Sequence, residues 1–151
     1  MEIVIGSDHG GYAVKESMKK LIEGMGYKLR DYGTYSTDAV DYPDFAHLVA
    51  QAVSQGNGNV RGIMIDAIGV ASAMVANKVP GVRAAVCNDV ISAKSSREHN
   101  DANMLTFGGK LIGPQTAEEI VKTWLNTDFA GGRHSRRVEK IVQVDDKYRK
   151  T

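Results

Sequence analysis

The chain predicts an α/β fold, a parallel sheet of five strands covered by helices, and three observations carry that prediction. Short runs with β-type hydrophobic spacing alternate with longer stretches at helical spacing. A length of 151 residues suits a single domain, residues 1–151, whose core is large enough to fold without disulfides or metals. Neither an internal repeat nor a low-complexity stretch interrupts the alternation.

The elements follow in order. Residues 2–6 form the first strand, and Val14, Met18, Leu21, Ile22 and Met25 then recur at helical spacing while Lys15, Glu16, Lys19, Lys20 and Glu23 fall on other faces. A second strand spans 28–32. Phe45, Leu48, Val49, Ala52 and Val53 repeat the helical pattern after Pro43, and GNGN at 56–59 closes that helix. The third strand covers 61–66. Residues 69–79 carry Ala, Val and Met on nearly every side, which predicts a helix buried on more than one face, including against a second subunit. Strands at 82–87 and 103–108 flank a helix that ends near His99. Thr116 and Glu119 have capping-box spacing ahead of Ile120, Val121, Trp124 and Leu125. A last helix, about 134–147, is predicted to pack on a partner subunit.

Hydrophobic residues make up 42% and charged residues 25%, with a net charge of +1. These are values of a soluble globular protein, and the apolar runs are too short to cross a bilayer. The charge supplies no general field for nucleic acid, and the aromatic and basic interleaving of single-strand binders is missing. No signal-peptide pattern precedes the first strand, and a lone cysteine, Cys87, can neither staple the chain nor build a thiolate metal cage. Together these features predict a cytoplasmic protein with no metal, in which Cys87 is a small buried hydrophobe.

Right-handed crossovers place all strand C-termini on one rim of the sheet, where open α/β sheets bind ligands. There, in GSDHGG, Asp8 and His9 precede glycines that open a helix, a pattern that suits either an anion or an ordinary turn. His99 and Asn100, in SREHNDANM, read as a proton-transfer group with a hydrogen-bonding neighbour or as a helix end on the surface. Arg133 and Arg137 are four apart, so on a helix they share a face and can grip one phosphate, while His134 and Arg136 point elsewhere. Asp66 ends the apolar run GIMI, where an ionised carboxylate is costly unless donors meet it. It reads either as a cap for the N–H groups of the following loop or as a general base.

The stretches GSDHGG, DYGTYSTDAVDYPDFA, ANKVPGVRAAVC, SREHND, MLTFGGKLIG and GGRHSRRV, taken in order, resemble the ribose-5-phosphate isomerase B and galactose-6-phosphate isomerase family over nearly the whole chain. The resemblance implies a Rossmann-like three-layer αβα sandwich, a homodimer or dimer of dimers with shared active sites, and no cofactor. It implies that Asp8, His9, Tyr42 and the 66–71 loop come from one subunit, and His99, Asn100, Lys110, Arg133 and Arg137 from its partner. His9, Arg133 and Arg137 would hold the phosphate, His99 would open the cyclic sugar, Asp8 and Asn100 would bind sugar oxygens, and Tyr42 would line the sugar site. Lys110 stands where arginine is common.

The loop departs from the family's frequent Cys-Gly-Thr-Gly and reads Asp66, Ala67, Ile68, Gly69. Asp66 therefore takes the place of the cysteine that moves a proton between C1 and C2, and backbone N–H groups of the loop, Ala67 and Gly69 among them, become the oxyanion donors. The resulting expectation is an aldose–ketose isomerase of a phosphorylated sugar, with ribose 5-phosphate and ribulose 5-phosphate the first pair. Galactose 6-phosphate, allose 6-phosphate or a tetrose phosphate, with or without a homologous partner subunit, and a phosphosugar-binding module without turnover are the alternatives.

Overall fold

The structure, a computed structural model, describes residues 1–149, so the last two residues of the expected domain lie outside it. Along the chain run β1 (Glu2–Ser7), α1 (Tyr12–Gly24), β2 (Lys28–Asp31), α2 (Tyr42–Gln55), β3 (Val60–Asp66) and α3 (Val70–Ala76). They are followed by β4 (Ala84–Val86), α4 (Val90–Glu98), β5 (Met104–Gly108), α5 (Pro114–Asn126) and α6 (Arg133–Lys147). All strand pairs are parallel, in the order β2-β1-β3-β5-β4. From β1 the chain steps to β2 on one side, then crosses to β3 on the other side of β1, with β4 at the far edge and β5 inserted between β3 and β4. The order therefore reverses between β1 and β3, where a doubly wound sheet leaves its ligand crevice.

The period of two along each strand divides the core. Ile3, Ile5, Ile63, Ile65, Leu105 and Phe107 pack on one face with Met18 and Ile22 of α1, Ala93 of α4, and Ile120, Val121 and Trp124 of α5. Val4, Met64 and Met104 pack on the other with Ala46, Val49 and Val53 of α2 and Ala76 of α3. Strands covered on both faces need unbroken apolar runs, which is why EIVIG and GIMI carry so little polarity. This is the three-layer αβα sandwich that the sequence led us to expect.

Three local expectations change. The third helix stops at Ala76 because the Asn77 side chain turns onto β4, donating to Ala84 O at 3.0 Å and accepting from Ala84 N–H at 2.8 Å. Only its Ser72, Ala73 and Ala76 side is buried within the chain, and Val70 and Met74 face outward. The capping box at Thr116 does not form: α5 begins at Pro114 with Gly113 as its N-cap, since proline at the first helical position has no N–H to orphan and a preset φ. In α6 Val138 alone is buried, while Ile141, Val142 and Val144 are exposed. No helix among the described residues is long and apolar enough to cross a membrane.

A buried ion cluster joins α1 to the end of β2. Lys15 is fully buried; its ammonium donates to both oxygens of Asp31 at 2.7 Å and to Thr34 O at 2.6 Å. Lys19 reaches the same carboxylate at 2.8 Å. Burial pushes the Asp31 carboxyl upward, but the two ammonium groups and the Gly33 N–H outweigh it and hold it below the ordinary carboxylate range.

Candidate active site

At the strand-order reversal, Asp8, Tyr42, Asp66, Ala67, Ile68, Val70 and Ala71 line a cavity of about 250 Å³. Backbone proximity builds it. A Cβ on Gly11 would lie 2.0 Å from Ile65 O, so only glycine lets the turn after β1 press against the end of β3. Gly69 has φ +92°, and a Cβ there would meet Phe107 backbone at 2.7 Å, so the loop after β3 is equally bound to glycine.

Asp66 is 5% exposed. Its Oδ1 accepts the N–H of Ile68 at 3.0 Å and the N–H of Gly69, and its Oδ2 accepts the Ser72 N–H at 3.2 Å and the Ser72 hydroxyl at 2.5 Å. A carboxylate offers about four lone-pair positions, and donors of its own loop and the first turn of α3 occupy all of them. The geometry fits the capping role, and proton transfer through Asp66 requires one of these bonds to open. The Gly69 N–H is thereby committed to Asp66, whereas the Ala67 N–H finds no acceptor among the described residues.

Asp8 stands at the same cavity, 7% exposed. Its Oδ1 accepts the Gly11 N–H at 3.1 Å. Burial pushes its carboxyl above the ordinary range; the Gly11 N–H opposes this, the negative Asp66 adds to it, and His9 opposes it. His9 is exposed, and its Nδ1 accepts the Val40 N–H at 3.2 Å, which assigns the proton of the neutral ring to Nε2. Lys110 follows β5 on this rim, its N–H donating to Ala67 O at 3.1 Å and its side chain exposed.

His99, Asn100, Arg133 and Arg137 lie elsewhere. Helix α4 runs back along the sheet, so His99, its C-cap, sits before the start of β5, whereas Asp66 pairs in register with Gly108 at the end of β5. At roughly 3.3 Å per residue the strand alone separates these edges by more than 10 Å. His99 stacks on His134, ring centroids 4.4 Å apart, so His134 does not point away as its spacing suggested. Arg133 and Arg137 are exposed on the first turns of α6, four residues apart on one face. Asn100 borders a larger cavity, about 480 Å³, between α6 and the β4 edge, lined by Ile141, Val142 and Val144. That cavity is mostly apolar, and the two buried carboxylates, Asp8 and Asp66, line the smaller one. Within one chain the expected site is therefore in two parts.

Three residues with supporting roles escaped the sequence reading. Ser72 gives Asp66 two of its four donors. Asn88 braces the loop, accepting from Gly108 N–H at 2.9 Å and donating to Ile68 O at 3.1 Å. Arg97, 2% exposed, donates to Asp101 Oδ1 at 2.9 Å and Ala102 O at 2.7 Å and pins the backbone that carries His99 and Asn100. The one available signal was an arginine on the helix side that faces Ala93. Cys87 is buried as expected, and burial pushes its thiol up to about 11.

Comparison with known proteins gives a consistent result. The family described as Ribose/Galactose Isomerase matches residues 3–141. A ribose-5-phosphate isomerase B of Clostridium thermocellum shares 48% identity and superposes with a TM-score of 0.94, over 99% of this chain and 100% of that one. Ribose-5-phosphate isomerase B of Escherichia coli is 40% identical over 146 residues, 97% of each chain. The ribose-5-phosphate isomerase B of Mycoplasma genitalium, solved with bound ribulose-5-phosphate, is 36% identical with a TM-score of 0.94, over 98% of this chain and 97% of that one.

Proposed function

The chain belongs to the Ribose/Galactose Isomerase family, and on that premise we propose that it interconverts the aldose and ketose forms of a phosphorylated sugar, ribose 5-phosphate and ribulose 5-phosphate first, in the cytoplasm and without a cofactor. The observation that carries the reading is the pair of buried carboxylates, Asp8 and Asp66, facing one cavity at the β1/β3 reversal. A carboxylate within reach of a C–H beside a carbonyl is an adequate general base.

In this reading Arg133, Arg137 and the Nε2–H of His9 hold the phosphate dianion. His99 moves a proton to or from the ring oxygen, Asn100 binds a sugar hydroxyl, and Tyr42 and Lys110 border the sugar. One carboxylate of the cavity then transfers the proton between C2 and C1 through a cis-enediolate, with the Ala67 N–H as a donor to the developing oxyanion. The two edges of the sheet act together only if a second copy supplies His99, Arg133 and Arg137 to the cavity. The exposed Val70 and Met74 of α3 and the apolar side of α6 support that pairing.

The saturated Asp66 carries one rival reading, a phosphosugar-binding module without turnover. Incubation of the purified protein in deuterated water with five- and six-carbon aldose phosphates and a tetrose phosphate separates the two. The isomerase exchanges deuterium into C2 of at least one of them and forms its ketose; binding without exchange establishes the module.

A further inference from the structure

Resting on the isomerase reading, we infer that Asp8, and not Asp66, is the base that moves the proton between C2 and C1 in this chain. Both carboxylates border the same cavity, and their hydrogen bonds differ. Asp66 accepts four bonds from Ile68, Gly69 and Ser72, so a proton can reach it only after the loop gives up a donor. Asp8 accepts the Gly11 N–H on Oδ1 at 3.1 Å, with the Gly10 N–H also favouring its charged form, and its Oδ2 accepts no hydrogen bond among the described residues. An oxygen with open lone pairs at a cavity wall is what proton abstraction needs.

Basicity agrees with the geometry. A buried carboxylate beside a second negative charge binds a proton more readily than a solvated one, and burial and Asp66 act on Asp8 in that sense. The groups facing it are Asp66, His9 and Tyr42, and among them Asp66 is the one that the loop holds in place. Asp66 thus works as a positioning residue, ordering the 67–71 backbone and adding to the basicity of Asp8.

The step balances without a further reactant. Asp8 takes the C2 proton of the open-chain aldose; the C–H electron pair forms the C1=C2 bond while the carbonyl pair moves onto O1. The hydroxyl proton passes from O2 to O1, Asp8 returns its proton to C1, and the C2 carbonyl of the ketose forms.

The test measures deuterium exchange at C2 of ribose 5-phosphate by proton NMR for the wild type, Asp8→Asn and Asp8→Glu, with thermal midpoint and ribose 5-phosphate binding by calorimetry as controls. Asn keeps an oxygen for the Gly11 N–H, so Asp8→Asn is expected to fold and bind while exchange falls by about 10³-fold. Asp8→Glu is expected to keep measurable turnover and to move the acid limb of the kcat/KM profile, a displacement that a merely structural residue does not produce. Exchange by Asp8→Asn within about tenfold of wild type, or an unmoved acid limb in Asp8→Glu, overturns the assignment. A wild type that exchanges no aldose phosphate overturns the isomerase reading itself, a different result from a wild type that exchanges beside an Asp8→Asn that also does.

Discussion

The two edges of the sheet are built differently. At the C-terminal ends of β1 and β3, Asp8 and Asp66 are buried, the loop is locked by four hydrogen bonds to one carboxylate, and Lys15 anchors the neighbouring β2 end from inside the core. At the opposite edge His99, Asn100, Arg133 and Arg137 are exposed, and α6 buries a single side chain of its own. The first edge holds its functional side chains buried and hydrogen-bonded within the chain, whereas the second leaves them exposed. Removing an internal donor or ion partner at the first edge should therefore cost stability, whereas substitutions at the second should act on binding and turnover with little effect on stability.

Lys15→Met is the largest break on the first side. It leaves Asp31 with Lys19 as its one remaining ion-pair partner and Thr34 O without its buried donor, and unfolding by urea should show a loss of about 3 kcal/mol. Asp66→Asn comes next. Its amide faces donors at Ser72, so a loss of about 1–3 kcal/mol is expected together with lower turnover, from a loop that no longer holds its shape. On the second side Arg137→Ala should leave the urea midpoint within about 0.5 kcal/mol of wild type, yet raise KM for the phosphosugar by about tenfold or more. Equal losses of stability at Arg137 and Asp66 would dissolve the contrast.

The smallest predicted effects concern pH. Asp31 is held below its ordinary value, so the stability it contributes is present above its unfolded-state pKa and lost as pH falls through the depressed value. Asp31→Asn should flatten the acid limb of the stability profile measured by urea unfolding. Asp8 is shifted upward, so its contribution has the opposite sign, present at low pH and lost as pH rises past the shifted value. Asp8→Asn should accordingly be as stable as wild type or slightly more so at neutral pH while losing turnover, the pattern of a group retained for function at a cost in stability.

The fold was legible because hydrophobic period is a local property. EIVIG and GIMI announce strands covered on both faces, and the stripe from Val14 to Met25 announces α1. Boundaries were less legible where a side chain decides them: Asn77 ends α3 by bonding Ala84, and Pro114 starts α5 ahead of the apparent capping box. In the site, Asp66 was visible as an odd charge at a strand exit, but its four donors were not, because Ser72 comes within reach only when Gly69 turns the loop through a positive φ. The division of the site follows from topology once α4 is known to run back from β4. His99 just before β5 belongs to the far edge, which local pattern alone does not state.

The central claim is that one working site needs the carboxylate edge of one copy and the histidine–arginine edge of another. Co-expression of Asp8→Asn with His99→Ala tests it most directly, since each variant alone damages every site. In a mixed dimer one site collects both substitutions and the other is intact, so the purified mixture should recover turnover toward about a quarter of the wild-type rate. Turnover no higher than the average of the two single variants, in mixed dimers verified by mass, would contradict the claim and place the whole site within one chain.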